Sequence, residues 1–455
     1  MVNVNTCQNG RPMTPIPSYI QSDKAISIEN VAKYPKSAIS VTSNLIETLE
    51  KGVQALKEKK GDNHSDVAIA IDAIARACSE NEDHNSALRH FNDALERKKK
   101  TLPQHHPSIA DTLRSVGDVS QKIGLAQDSE AAYKAAHAIY RNAFDNRSWV
   151  GEGQESKQQT DYDLHHMIST TLVHIGTIQF DKEGYDEAMN FFRKAQQEAK
   201  MAAIDAVILD RHNTDKKSSK SLVKETRIHL SEIMNDIANV HAKKNDKLKA
   251  IQTYNAALNL QMQEVGEDHL SVSCTLHNMG TMHYQSGELQ VSLKCYKQVL
   301  KMRRLLLGNE HPSIADALMN IAIVHEKAGE LDRAESALNA TLRVVSKAFD
   351  ENDFRVGFVQ NCLGALNARN GCYLDALENF SKALVIYEEA ALDEDHALII
   401  STQKSIEYVK NIDETSEELV TPEGEKYDIM NSFLTCGGFC FTNNLNGTNS
   451  TPVMI

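Results

Sequence analysis

Histidine and cysteine are the residues of this chain that could most readily bind a metal ion or take part in catalysis. The sequence contains 18 histidines and eight cysteines. His325-Glu326 lacks the second histidine of an H-E-x-x-H motif, and Cys436 and Cys440 lack a second cysteine pair. Phosphate-binding loops and G-x-S-x-G nucleophile elbows are also absent from the sequence. We therefore predict a non-catalytic protein without a metal or cofactor, with an enzyme of another kind as the alternative.

Residues that recur at a fixed interval of 42 positions are the main signal in the sequence. The two clearest sets are His269, His311 and Asp353, and Gly287, Gly329 and Gly371. Each member of the first set lies 18 positions before its partner in the second, and His106 and Gly124 repeat this offset. A period of this length, filled by two apolar helical stretches, is the signature of a helical solenoid.

The period divides most of the chain into seven helix–turn–helix units. These are predicted at about 63–104, 105–146, 164–205, 225–266, 267–308, 309–350 and 351–393. Helices at 41–59 and 394–411 are predicted as caps, so the repeat domain is predicted over residues 41–412. Residues 1–40 and the tail at 413–455, acidic and then rich in Gly and Asn, are predicted to be disordered. Where the spacing is interrupted, near 146–163 and 206–224, we predict loops between repeats.

Composition and charge exclude several classes of protein. A formal net charge of -13 argues against non-specific binding to nucleic acid, which requires many cations. The chain contains no apolar run that approaches the about 18 residues of a membrane span, so no membrane insertion is predicted. No secretory signal is visible at the start, and the cysteines within helical patterns occupy unrelated repeat positions. A cytoplasmic location is the simplest prediction.

The repeat unit has a sequence motif of its own. In the clearest unit the motif is carried by His311, Pro312, Ala315, Leu318, Asn320, Ala322, Gly329 and Ala334. These residues resemble the tetratricopeptide repeat, in the 42-residue form typical of the kinesin light chain family. The resemblance implies an all-α, right-handed α-solenoid of about seven such repeats with helical caps. It also implies that the first helix of each repeat lines a concave groove that binds peptides.

The resemblance points to a set of polar side chains on the first helices. Counted by repeat position, the family's asparagine corresponds to Ser115, His174, Asp236, Asn278, Asn320 and Cys362. From this register and its neighbours we predict a peptide-binding polar column of Asp236, Asn239, His277, Asn278, Asn320 and Asn361. Amide side chains can pair with the backbone of an extended peptide. The alternative is that they only bond neighbouring helices.

A second set lies two residues before the glycine position of each repeat. Its cationic members form the predicted basic stripe: Lys122, Lys182, Lys243, Lys327 and Arg369. The first interpretation of the stripe is that these cations only complement the helix dipole at the C-terminus of each helix. The second is that the stripe attracts an acidic segment of a partner.

These patterns predict a protein–protein interaction scaffold or cargo adaptor that holds an extended peptide, with an acidic segment as a candidate feature. One alternative is an autoinhibited module whose acidic tail, residues 413–428, occupies the groove. Another, drawn from the resemblance, is a light-chain-like subunit of a motor complex.

Overall fold

The computed structural model describes residues 38–146, 154–212 and 216–415, which form sixteen α-helices and no strand. The helices are α1 Ala38–Lys60, α2 Ser65–Glu80, α3 His84–Thr101, α4 Pro107–Lys122, α5 Ala126–Asp145, α6 Gln154–Asp181, α7 Tyr185–His212, α8 Lys216–Lys243, α9 Lys247–Val265, α10 Leu270–Gln285, α11 Leu289–Leu307, α12 Ser313–Lys327, α13 Leu331–Ala348, α14 Phe354–Arg369, α15 Tyr373–Glu389 and α16 Ala397–Thr415.

Helices α2 to α15 form the seven predicted hairpins, and α1 and α16 flank them. In each hairpin we call the first helix A and the second helix B. The prediction of an all-α array of helical hairpins is therefore confirmed. The chain divides into two compact units with a boundary between Val240 and His241, within α8. Each unit has its own apolar core, around Ile168 and Phe192 in the first and around Leu338 and Val359 in the second.

A residue with positive φ makes the turn from helix A to helix B in each hairpin. These residues are Glu82, Gly124, Glu183, Asn245, Gly287, Gly329 and Gly371. Four are glycine, which adopts this left-handed conformation without steric cost. The predicted stripe residue Lys182 takes Gly184 as the glycine position of the third repeat. That prediction is wrong by one residue, because Glu183, with φ 62°, makes the turn. The register of that repeat therefore moves by one position.

Small residues of the A helices lie against aromatic rings of the B helices. A Cβ added to Gly117, Gly176, Gly280 or Gly364 would come within 2.7–2.9 Å of a ring atom of Tyr133, Phe192, Tyr296 or Phe380, respectively. Each glycine thus permits a close approach of the two helices of one hairpin. The four rings are almost fully buried, so they hold the hairpins together as well as fill the core.

The two interruptions of the repeat spacing are mostly helix, which corrects the prediction of loops. Helices α6, α7 and α8 each contain 28 residues, and the extra turns account for most of the inserted sequence. Their apolar side chains form a small core of Tyr162, Ala202, Ala206 and Leu209. The insertions could extend the helices because they place apolar residues at helical spacing.

Most of the predicted disordered ends lie outside the described residues. The described part begins inside the predicted N-terminal segment, at Ala38 of α1, and α16 continues three residues beyond 412 to Thr415. No helix among the described residues has a stretch long and apolar enough to cross a bilayer.

Candidate functional site

The periodic histidines are helix caps. The Nδ1 atoms of His64, His106, His269, His311 and His396 accept hydrogen bonds of 3.1–3.2 Å from the backbone N–H two residues later. Asp353 makes the same bond through Oδ1, at 2.9 Å from the Arg355 nitrogen. These residues therefore recur every 42 positions because the start of each A helix requires a side chain that accepts a hydrogen bond from the backbone. Among the described residues, no group of three histidine, cysteine or acidic side chains could hold a metal ion.

The polar column is buried. The exposed fractions are Asp236 3%, Asn239 3%, His277 1%, Asn278 5%, Asn320 2% and Asn361 0%. Asp236 and Asn239 lie on α8 in the first compact unit, whereas the other four lie on α10, α12 and α14 in the second. Asn320 donates a hydrogen bond of 2.9 Å to the Asp316 carbonyl oxygen of its own helix. The column thus consists of inward-facing polar groups rather than of side chains in open solvent.

His277 and Asn361 have aromatic neighbours from B helices. The His277 ring lies edge-on to Tyr296, with ring centres 5.4 Å apart. Burial, with the charge of Arg303 as a smaller cause, lowers the pKa of His277 to about 3. The imidazole is therefore neutral at physiological pH. Asn361 lies beside Tyr387, where burial raises the pKa of the phenol and the amide opposes that shift.

Two carboxyl groups face the same side of α8. Burial raises the pKa of Glu232 to about 7. Burial, together with the charge of Glu232, raises the pKa of Asp236 well above its usual value. His229 Nδ1 lies 4.0 Å from Glu232 Oε2. Asp236 makes no hydrogen bond or ion pair with any residue of the described ranges.

Buried carboxylates elsewhere in the chain have cationic partners. Asp72 is 3% exposed and forms ion pairs with Arg76 at 2.5 Å and Lys98 at 3.4 Å. Asp316 is 2% exposed and lies 3.8 Å from the Arg303 guanidinium. Asp236 differs from both because, within the described part of the chain, it has neither a cation nor a donor beside it.

The basic stripe is exposed but partly neutralised by neighbouring repeats. Lys182 forms an ion pair of 2.5 Å with Glu130, and Arg369 pairs with Glu326. The corrected third-repeat register also removes Lys182 from the stripe position, because Asp181 is the residue two before the turn residue Glu183. Only part of the predicted stripe therefore carries charge available to a partner.

Part of the chain matches a known protein family. A model described as "Tetratricopeptide repeat" matches residues 229–304 and 271–347, which cover α9 to α12, nearly all of α13 and about half of α8. Residues 229–347 are tetratricopeptide repeats. Their 42-residue unit resembles the kinesin light chain type of repeat. No curated protein is a significant match.

Solved structures similar to this chain share little of its sequence. BtubC (BKLC) from P. vanneervenii is 13% identical, with a TM-score of 0.37 over 65% of this chain and 96% of that one. A Podosopora anserina putative kinesin light chain with nearly identical TPR-like repeats is 16% identical, with a TM-score of 0.37 over 45% and 93%. The apo form of RapI is 11% identical, with a TM-score of 0.47 over 71% and 98%.

Buried polar links join consecutive tetratricopeptide repeats, and sequence reasoning missed them. Lys98 donates to Thr112 at 2.7 Å, Thr275 donates to Gln261 at 2.7 Å, and Arg303 donates to the Ser313 carbonyl at 2.7 Å. Lys98, Gln261 and Arg303 all lie 16 residues after the turn residue of their own repeat, and each contacts the A helix of the next. The position 16 residues after the turn is otherwise apolar. A search of the sequence for polar residues at that position of each repeat would have found these links.

The carboxyl group of Asp236, buried and unpaired among the described residues, leads us to expect an unusual dependence of the free energy of unfolding on pH. An acid whose pKa is raised by folding destabilises the folded state as pH rises from its unfolded pKa of about 4 toward its folded pKa. We expect Asp236→Asn to be similar in stability to the wild type near about pH 4 and more stable by about 2 kcal/mol near pH 8. Urea unfolding followed by circular dichroism at both pH values checks this. Glu96→Gln, on an exposed position of α3, is the control and should show no such gain. If Asp236→Asn were less stable than the wild type near pH 8, the prediction would be contradicted.

Proposed function

We propose that this tetratricopeptide-repeat protein is a non-catalytic cytosolic scaffold or adaptor that binds an extended peptide along its A helices. Proteins built from these repeats mediate protein–protein interactions. The observation that carries the proposal is the polar column, because a helix face that only packed against apolar neighbours would not retain these groups. The five described cysteines, Cys78, Cys274, Cys295, Cys362 and Cys372, are free, which supports a reducing compartment.

The mechanism rests on side chains that can pair with a peptide backbone. Asparagine carries both a donor and an acceptor, so Asn278 and Asn320 can satisfy N–H and C=O groups that an extended peptide leaves unpaired. Stacked helices are ordered before binding, so the peptide loses most of the conformational entropy. Each side chain of the polar column is at most 5% exposed. A peptide can therefore contact the column only if neighbouring side chains move apart.

Selection from a library of short random peptides on the full chain tests the proposal. We expect the double variant Asn278→Ala/Asn320→Ala to bind the selected peptides at least about tenfold more weakly, since each truncation removes a backbone contact of about 1 kcal/mol or more. Affinity is measured by fluorescence anisotropy, with helicity checked by circular dichroism. The control is Asn92→Ala/Asn255→Ala, the same chemical change at exposed positions of α3 and α9. Equal affinity of the two folded double variants would refute the role of the column.

An acidic segment in the partner is favoured by two members of the basic stripe. Lys243 and Lys327 are exposed and form no ion pair with a residue of the described ranges. We expect Lys243→Glu/Lys327→Glu/Arg369→Glu to weaken binding of an acidic peptide about tenfold at low salt and to flatten its salt dependence. The matched control is Lys294→Glu/Lys297→Glu/Lys301→Glu, an equal change of charge on the exposed side of α11. Equal effects of the two triple variants would assign the stripe to helix-dipole compensation.

The autoinhibitory tail concerns residues that lie almost wholly outside the described ranges. That alternative and a light-chain-like role in a motor complex stay hypotheses from the sequence.

A further inference from the structure

We infer that Glu232 and Asp236 form a receptor for an arginine side chain of the bound peptide. The inference rests on the proposed function, because it gives the chemistry of one position within the polar column. It adds that the partner must carry a cation at one point in its extended segment.

Asp236 has no cation or hydrogen-bond donor beside it among the described residues. Its side chain lies among buried groups, at 3% exposure, and has no hydrogen bond or ion pair with the described part of the chain. A buried carboxylate without a partner is costly, and buried charges in proteins are normally paired. The same chain provides Arg76 and Lys98 for Asp72 and Arg303 for Asp316. At Asp236 no described residue supplies the cation, so a ligand is the natural source of it.

Asp236 also stands at the repeat position proposed for peptide contact. Asp236 occupies the register that Asn278 and Asn320 hold in later repeats, which the proposed function assigns to peptide contact. Glu232 lies one helical turn earlier on the same face of α8, and residues four apart are neighbours on a helix surface. Its side chain is 25% exposed, so the pair can be reached from solvent on the side of Glu232.

The chemistry of the two carboxyl groups favours arginine as the ligand. A divalent metal needs more protein ligands than this pair offers, and no group of three was found among the described residues. The planar guanidinium of arginine has five donors and can bridge two carboxylates one turn apart, whereas the ammonium of lysine is a compact point charge. His229, 4.0 Å from Glu232, lies at one end of the pair and leaves Asp236 for the incoming cation.

Four pools of short random peptides, identical except for one fixed central residue, test the inference. The fixed residue is arginine, citrulline, lysine or glutamate, and binding to the full chain is measured by fluorescence anisotropy. Citrulline keeps the shape of arginine without its charge. We expect the arginine pool to bind the wild type at least about tenfold more tightly than the citrulline pool. The preference should vanish in Asp236→Asn, fall in Glu232→Gln and persist in Glu96→Gln.

The outcomes separate this inference from the proposed function. If peptides bind the wild type with equal affinity for arginine and citrulline, the receptor is refuted while the scaffold stands. A preference for the lysine pool, or an arginine preference that survives in both carboxylate variants, refutes the receptor as well. If no pool binds the folded protein, both proposals fail. Circular dichroism verifies that each variant is folded, and Glu232→Gln provides a second test if Asp236→Asn is not.

Discussion

Gly280→Val is expected to destabilise the fifth repeat by about 3 kcal/mol, which lowers the unfolding midpoint and removes helical signal at temperatures where the wild type is folded. An ideal Cβ at Gly280 would lie 2.9 Å from Tyr296 Cε1. The ring cannot move aside easily, because it is fully buried and its hydroxyl lies 2.9 Å from Thr281 Oγ1. Valine adds two further methyl groups at this contact, so α10 and α11 must separate.

Gly52→Val is the matched control, because an added Cβ at Gly52 meets no atom within 4 Å. Gly52 lies inside α1, where valine replaces a residue of lower helix propensity. We expect a change of about 0.5 kcal/mol or less for this variant. Chemical unfolding followed by circular dichroism compares the two. Equal destabilisation by both substitutions would mean that the close approach of α10 to α11 does not exist in solution.

Arg303→Met is expected to cost about 3–5 kcal/mol, because it leaves a buried carboxylate without its cationic partner. Arg303 is 1% exposed, donates to the Ser313 carbonyl at 2.7 Å and lies 3.8 Å from Asp316 Oδ2. Methionine preserves much of the volume, so the loss reports on the charge and its hydrogen bonds rather than on a cavity. Unfolding in urea measures the change.

Two further variants test the physical reason. Arg333→Met removes an exposed guanidinium that pairs with Glu330 at 3.0 Å, and we expect a loss of about 1 kcal/mol or less. The double variant Arg303→Met/Asp316→Leu removes both charges, and it should recover much of the stability lost by Arg303→Met. If the double variant is no more stable than the single one, the ion pair is not the source of the effect.

The repeat architecture could be predicted from the sequence because the period records requirements at the ends of helix A. A histidine or aspartate caps the start of the helix, and a residue with positive φ ends it, so both recur along the array of hairpins. The one error in register shows the limit of this signal. Glu183 adopts positive φ beside Gly184, and a search for glycine selects the wrong residue. The backbone conformation depends on the hairpin as a whole and not on the residue type alone.

The candidate site was less accessible to prediction, because its properties arise between repeats. The sequence indicates that residues such as Asn278 and Asn320 share a register, but their burial depends on the packing of neighbouring helices. The pairing of Lys182 with Glu130 joins residues 52 positions apart, which no local pattern reveals. The lack of a partner for Asp236 within the described ranges is likewise visible only once its surroundings are known.

Backbone hydrogen exchange of the full chain, with and without a selected peptide, tests most directly the claim that the A helices bind it. We expect exchange rates to change in α8, α10, α12 and α14, which carry the polar column, and to change little in the B helices α9, α11 and α13. Asn278→Ala/Asn320→Ala should reduce these changes in α10 and α12. A change confined to the B helices on peptide binding would show that the A helices do not bind the peptide.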